Sequence, residues 1–385
     1  QAGTKSAGDS QPGADVMPDP RPQFPPARSE VEQLQSYSAP LEGRRGMLRL
    51  DFNENSVGPS PKVVEAIRNI PAEHYAIYPE YDGLREAFSR SLGGLNCDQI
   101  GLFNGVDAAL HAICQAYGNP GDVMLTTSPT FGYYQPCARM QGMVVNAIPY
   151  EGEDFRFPLQ ATQRALAQLN PRLLLLCNPN NPTGTRLDAE AIVRLAATAP
   201  GTLVVVDELY EAFTGDSVLP IADFSETPNL VVLRSLSKTA GIAGLRLGIA
   251  VGYAAVVDRI SRVTGPYDIN SFAVVAGRAA LEDQGYVNSY VQEVLAAKSW
   301  LVEKLKKAGV KHHCDGGNYL LIWPSSDTSA CEVALRNEGI LVRSMTGKAL
   351  IDGSLRVSIG TKGQMKEFWK VFKQSGVNNR TQQAE

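Results

Sequence analysis

The segment Val231–Gly248, VVLRSLSKTAGIAGLRLG, carries the residue types for covalent chemistry at an amine. The apolar run Val231-Val232-Leu233 reads as a buried strand. It breaks at Ser235 and Ser237 around a single lysine, Lys238, with glycines at 241, 244 and 248 and Arg246 eight residues after the lysine. A lysine at the mouth of a buried strand is costly unless it is paired, deprotonated or used covalently. The hydroxyls and the arginine around it are what an anionic phosphate needs. Together they point to a lysine that forms a Schiff base with pyridoxal phosphate, the cofactor phosphate being held by its neighbours.

Other stretches supply the remaining parts of such a site. Asp207 ends the apolar run Leu203–Val206. A carboxylate opposite a pyridinium nitrogen keeps the ring protonated, and the protonated ring is the electron sink. Tyr210, three residues on, can reach the ring's phenolate oxygen, and Asn181 in the loop Asn178–Gly184 can donate to it from the other side. Phe131 can stack on the ring face. Asp107 follows Asn104-Gly105-Val106 and opens a helix, so the backbone N–H groups of Val106, Asp107 and Ala108 can bind phosphate. Singly, Asp207 also suits a helix cap and Asn178–Gly184 a tight turn; it is the occurrence of all these features in one chain order that favours the cofactor site.

The elements that must position them alternate. Short apolar runs at Ile100–Phe103, Val123–Thr127, Val144–Ile148, Leu173–Cys177, Leu203–Val206, Val231–Leu233 and Ile249–Val251 are separated by helical patterns and turn-rich loops. That order predicts a mostly parallel sheet sandwiched by helices, with the chemistry in loops at the carboxyl ends of the strands. Asp107, Phe131, Asn181, Asp207 and Lys238 each lie just beyond a predicted strand, so they can converge. Ser60-Pro61 predicts a helix start, and a long helix is expected over Val287–Ala308. Val310–Ser375 reads as a smaller α+β unit with strands near Tyr319–Trp323, Ile340–Arg343 and Leu355–Ile359. The expected division is a disordered Pro-rich arm over 1–30, an N-terminal segment over 31–60, a large domain over 61–285 and a small domain over 286–385.

At 385 residues and net charge −4, with 44% hydrophobic and 20% charged residues, the chain has the composition of a globular enzyme. It lacks a long basic run and an apolar run of membrane-spanning length, which argues against nucleic-acid and membrane roles. The six cysteines have no C-x-x-C spacing and read as reduced core residues; no metal site is expected. A cytoplasmic enzyme is expected; because the chain begins at Gln1 and not Met, an export signal removed before it would be invisible.

The residues Asn181-Pro182-Thr183-Gly184, Asp207–Tyr210 and Ser235-Leu236-Ser237-Lys238 with Arg246 resemble those of the fold-type I, pyridoxal-phosphate-dependent aminotransferases, and within them the histidinol-phosphate aminotransferases most closely. The resemblance is collinear over roughly residues 35–375 and extends to Phe52–Asn55, Tyr78–Arg85, Pro129–Gly132 and Ser354–Thr361. It implies the fold-type I architecture, with a seven-stranded, mostly parallel sheet in the large domain. Lys238 is then the Schiff-base lysine and proton carrier, Asp207 the partner of the ring nitrogen, Asn181 and Tyr210 the partners of the phenolate oxygen, and Phe131 the stacking ring. Val106, Asp107, Ser235, Ser237 and Arg246 would hold the phosphate. It further implies a homodimer with shared sites in which Tyr78 reaches the other subunit's cofactor phosphate. Arg356, helped by Arg343, would bind the anionic end of the substrate, and Tyr37 and Asn55 would line the substrate end. The implied reaction moves an amino group from histidinol phosphate or a similar donor to 2-oxoglutarate. The same residues would serve an aromatic or broad-specificity aminotransferase, and less readily a lyase or decarboxylase of the same fold. Ala108 stands where the family commonly has an acidic residue, and Val57 where it commonly has an aromatic one.

Overall fold

Leu173–Cys177 is apolar throughout and Leu203–Asp207 at every position but the last, and every residue of both is buried. Such strands need cover on both faces. The computed structural model, which describes residues 23–377, provides it. In chain order the strands are β1 (Leu48–Arg49), β2 (Ile100–Phe103), β3 (Val123–Ser128), β4 (Val144–Pro149), β5 (Leu173–Cys177), β6 (Leu203–Asp207), β7 (Leu230–Ser235), β8 (Gly248–Gly252), β9 (Lys311–His313), β10 (Tyr319–Trp323), β11 (Ile340–Leu341), β12 (Arg343–Ser344) and β13 (Leu355–Ser358).

Seven of them form the central sheet in the order β2-β8-β7-β6-β5-β3-β4. All neighbours are parallel except those of β8, which is antiparallel to both β2 and β7. The fold is therefore α/β with a mostly parallel seven-stranded sheet. Alternate residues of each strand face opposite sides. Leu174, Leu176, Val204 and Val206 join one core cluster with Leu84, Phe88 and Ile192. Leu173, Leu175, Leu203 and Val205 join another, with Ala109, Ile113 and Tyr134.

The C-terminal part packs the helices Gln284–Lys307, Thr328–Asn337 and Lys362–Ser375 against the antiparallel sheet β12-β13-β10-β9. The run predicted as one strand over Ile340–Arg343 is two, β11 and β12, with Val342 between them. β11 leaves the four-stranded sheet to pair in parallel with β1, Leu48 opposite Ile340. The segment just after β1 is thereby carried from the C-terminal part onto the carboxyl edge of the central sheet. The arm expected over 1–30 lies outside the described residues as far as residue 22. Of its remainder, Arg28 donates to Met140 O at 3.2 Å and Ser29–Glu32 is a helical turn.

Candidate active site

β5, β6 and β7 run parallel, so Cys177 and Asp207 stand opposite each other at their carboxyl ends, with Ser235 two residues beyond Leu233, the partner of Asp207. A cavity of about 150 Å³ opens there, lined by Val106, Asp107, Phe131, Cys177, Asn181, Asp207, Leu209, Tyr210, Ser235, Ser237, Lys238, Ala243 and Arg246. Ten residues singled out from the sequence meet in it; of their company, Cys177, Leu209 and Ala243 were not foreseen.

Asp207 is 4% exposed, and burial pushes its carboxyl up to about 6. The charge is held by two donors: the Tyr134 hydroxyl to Oδ2 at 2.6 Å and the Leu209 N–H to Oδ1 at 3.3 Å. Tyr134 is completely buried. Its role escapes a sequence reading because the contact spans 73 positions. Lys238 Nζ donates to Phe52 O at 2.8 Å, and burial lowers its pKa to about 8. The amine and the carboxylate thus belong to one buried cleft without pairing to each other.

The loop Asn178–Gly184 is held by its first two asparagines. Asn178 accepts from Leu187 N–H at 2.8 Å and donates to Leu187 O at 3.0 Å. Asn180 donates to Pro129 O and to Thr183, and accepts from Thr130 at 2.7 Å. Asn181 is left to face the cavity, where its Oδ1 accepts from Arg356 Nη1 at 2.9 Å. The Tyr210 hydroxyl accepts from Asn53 Nδ2 at 3.1 Å, and its ring meets Tyr319 edge-on. Asn53, like Tyr134, is a contributor not foreseen. Ser358 and Asn318 fix its backbone, which sits at φ 56°.

The opposite end of the cavity is built for an anion. In the helix Val106–Tyr117 the first bond that closes back is Ala109 N–H to Gly105 O, so the preceding N–H groups stand at the helix mouth. Gly105 sits at φ +82°, and a side chain there would press into the Arg246 guanidinium. Gly248 lets β8 lie flush on the same turn: a Cβ at that position would stand 2.6 Å from Val106 N. The Ser235 and Ser237 hydroxyls bond each other at 2.8 Å, and Arg246 donates to Asp107 at 3.1 Å. Helix N–H groups, two hydroxyls and a guanidinium at one end, with a carboxylate at the other and a low-pKa amine between, fit pyridoxal phosphate.

The substrate-end residues are less gathered. Arg356 and Arg343 lie directly opposite in the β12–β13 pair, hence on one face. Arg356 also donates to Asp51 O at 2.5 Å, while its Nε–H is buried without an acceptor. Two opposed arginines and an unanswered buried donor suit an anionic ligand. Lys348 is a further cation here, its pKa lowered by burial and then by Arg343 and Arg356. Arg343 lies over the Phe52 ring at 5.5 Å and lines a neighbouring cavity with Arg44 and Asp51, not the one holding Lys238. Asn55 accepts from Val57 and Gly58 N–H within its loop and donates to Thr239 O, beside Lys238, at 3.0 Å. Tyr37 packs edge-on against Tyr133 at 5.2 Å. Tyr78 is 71% exposed and stacks on Tyr267, away from this chain's own cavity. Among the described residues no metal-binding cluster and no membrane-spanning helix occurs.

Residues 45–372 match the family model for aminotransferase class I and II. The chain is 33% identical over 341 residues to histidinol-phosphate aminotransferase 1 of Carboxydothermus hydrogenoformans, covering 88% of this chain and 95% of that one. It is 34% identical over 367 residues to the histidinol-phosphate aminotransferase of Roseiflexus castenholzii, covering 90% and 97%. The crystal structure of the Sinorhizobium meliloti histidinol-phosphate aminotransferase in complex with pyridoxal-5'-phosphate superposes with a TM-score of 0.81 at 25% identity, covering 89% of this chain and 95% of that one.

Proposed function

The chain belongs to the class I and II aminotransferases and is a pyridoxal-phosphate-dependent transaminase; on that premise we propose that it takes its amino group from histidinol phosphate and delivers it to 2-oxoglutarate. The observation that carries an anionic donor is the opposed pair Arg343 and Arg356, with the buried Arg356 Nε–H unanswered at the substrate end. The names of the relatives support the same donor.

In this reading Lys238, Asp207 and Tyr210 are the catalytic residues. Pyridoxal phosphate, when bound, supplies the aldehyde that takes up the amino group and the ring that draws electrons from the carbon bearing it. Val106, Asp107 and Ala108 would hold its phosphate through backbone N–H groups, joined by Ser235, Ser237 and Arg246. Asp207 would face the ring nitrogen and favour a proton there, Phe131 would lie on the ring face, and Asn181 and Tyr210 would serve the ring oxygen. Lys238 Nζ takes the proton from the donor's amino carbon and returns it. An amine with a pKa near 8 suits that double duty at neutral pH. Arg356, with Arg343 and Lys348 adding positive charge, orients the donor's anionic end, and Tyr37 and Asn55 bound that end of the site. The active form is a homodimer in which Tyr78 completes the phosphate site of the other subunit.

The test compares kcat/KM for histidinol phosphate with that for phenylalanine, tyrosine, histidine and glutamate. Histidinol phosphate should lead clearly; equal or better use of a free amino acid would remove it as the donor. Arg356→Ala should raise KM and lower kcat together, because anchoring and orientation are lost at once.

A further inference from the structure

Three consecutive backbone carbonyls follow β1, and each is answered by a donor from a different part of the chain. Asp51 O accepts from Arg356 Nη2 at 2.5 Å, Phe52 O from Lys238 Nζ at 2.8 Å and Asn53 O from Asn318 Nδ2 at 3.0 Å. The place of the Lys238 amine therefore depends on what holds the segment 51–54. Arg44 grips the carboxylates at both of its ends. Its Nε and Nη2 donate to Asp51 at 3.0 and 2.7 Å, and its Nη1 and Nη2 donate to Glu54, each at 3.0 Å. Arg49 Nε adds a further bond to Glu54 at 3.0 Å. The Arg44 guanidinium also lies over the Phe52 ring, 4.1 Å from its centroid.

We propose that Arg44 and Glu54 are positioning residues for Lys238: their paired charges fix the carbonyl to which the amine donates, and the balance of those charges decides how readily the amine gives up its proton. The inference rests on Lys238 being the reacting amine, whichever donor the enzyme uses. Its first support is the charge count. Two cations, Arg44 and Arg49, stand against two carboxylates, Asp51 and Glu54, so any single substitution tips the balance by one charge. Its second is burial. The Arg44 and Asp51 side chains are 11% and 6% exposed, and ion pairs buried to this degree add little net stability, so the fold alone does not account for them. Its third is the setting of the amine. Apart from burial, Arg356 and Arg246 favour its neutral form, while Glu54 and Asp107 favour its charged form; Asp207 and Tyr210 share its cavity. Burial works against a charge on Glu54, yet Arg44 and Arg49 hold its carboxyl below the usual range, so it stays charged while Lys238 titrates.

The midpoint of Lys238 can be read on the full-length, cofactor-free protein by brief labelling with acetic anhydride across a pH series, followed by mass spectrometry of the peptide that contains it. In Glu54→Gln the midpoint should fall below that of the wild type by about one unit, the low end of the range for a nearby charge. Simple loosening of the segment would let water reach the amine and move the midpoint the other way, so a midpoint that stays or rises in Glu54→Gln overturns the proposal. Arg44→Met, which leaves Glu54 less compensated, should raise the midpoint. Arg44→Lys keeps the charge without the fork and should lie closer to the wild type; equal shifts in the two Arg44 variants would overturn its charge as the cause. If Arg44→Met does not fold, Glu54→Gln decides alone. The reading of Lys238 as the reacting amine fails separately, if borohydride fixes pyridoxal phosphate on another lysine of the wild-type protein.

Discussion

Burial moves Lys238 and Asp207 toward each other on the pH scale, to about 8 and about 6, and leaves a window between them in which the amine is protonated and the carboxylate charged. An amine attacks an aldehyde only when neutral. The rate at which the apoprotein captures pyridoxal phosphate should therefore climb up to about pH 8 and level off above it, followed by absorbance after rapid mixing. A rate still climbing near pH 10 would mean an ordinary lysine. Asp207 can be isolated in Lys238→Ala, where the cofactor is held without a covalent link. Its affinity should fall as pH drops through about 6, because a carboxylate with a raised pKa is charged above that point and neutral below it. Tyr134→Phe, made in the same background, removes the donor at 2.6 Å from Oδ2. A hydrogen bond to a charged group is worth about 1.5–3 kcal/mol, so the fall should begin about one pH unit or more higher. Since the cofactor's own phosphate titrates identically in both proteins, coincident curves would remove Tyr134 as the residue that keeps Asp207 charged. Asp207→Ala should slow the chemical step roughly a hundredfold or more, the scale for losing a positioned charge.

At the scale of elements, the site depends on how closely β8 lies against the helix that begins at Val106. Gly248 pairs with Phe103 on one side and Ser235 on the other, so it joins the strand leading to the helix with the strand leading to Lys238. Gly248→Ala would force a Cβ to within 2.6 Å of Val106 N and 2.7 Å of Gly105 C. Overpacking of this kind costs roughly 1–3 kcal/mol, and because it displaces the N–H groups of the phosphate end it should lower Tm and cofactor affinity together. A lowered Tm with unchanged affinity would limit Gly248 to packing. The parallel strands were legible in the sequence because β5 is apolar throughout and β6 at every position but Asp207, and the loop residues after them were legible as polar exceptions to those runs. The antiparallel direction of β8 was not, since a buried run reads the same whichever way it points. The helix Ser271–Leu281 also went unread: Ala273, Val274, Ala276, Gly277 and Ala280 are all buried, which leaves a weak polar stripe to mark its period. Residues defined by long-range contact, Tyr134 on Asp207 and Asn53 on Tyr210, carry no local signal at all. Asn55, by contrast, has a local signal in its turn-rich loop, though its bond to Thr239 O, beside Lys238, is long-range.

For the whole molecule, the question is what covers the aromatic surface around Tyr78. Tyr75, Ile77, Tyr78 and Tyr267 are each more than half exposed, with Tyr78 stacked on Tyr267 at 4.2 Å and Tyr75 against Phe272 at 5.4 Å. Exposed aromatic pairs of this kind suit an interaction surface, and a second copy of the chain is the proposed occupant. Symmetry then makes each of two sites a composite, with Lys238 from one subunit and Tyr78 from the other. Mixing inactive subunits separates this arrangement from one in which Tyr78 serves its own chain. A Lys238→Ala subunit has no amine in its own site but carries an intact Tyr78. A Tyr78→Ala subunit has the amine but withholds the tyrosine from its partner. If the two are unfolded together and refolded at equal amounts, about half of the dimers are hybrids. In each hybrid, the site with Lys238 receives Tyr78 from the other subunit and is whole, while the second site lacks both. Activity should therefore return to about a quarter of the wild-type value per subunit, above any residual turnover of Tyr78→Ala alone. If Tyr78 acts within its own chain, every site in the mixture lacks one of the two groups, and mixing restores nothing. Sedimentation of the same samples supplies the control, since hybrids can form only if the chain assembles as a dimer.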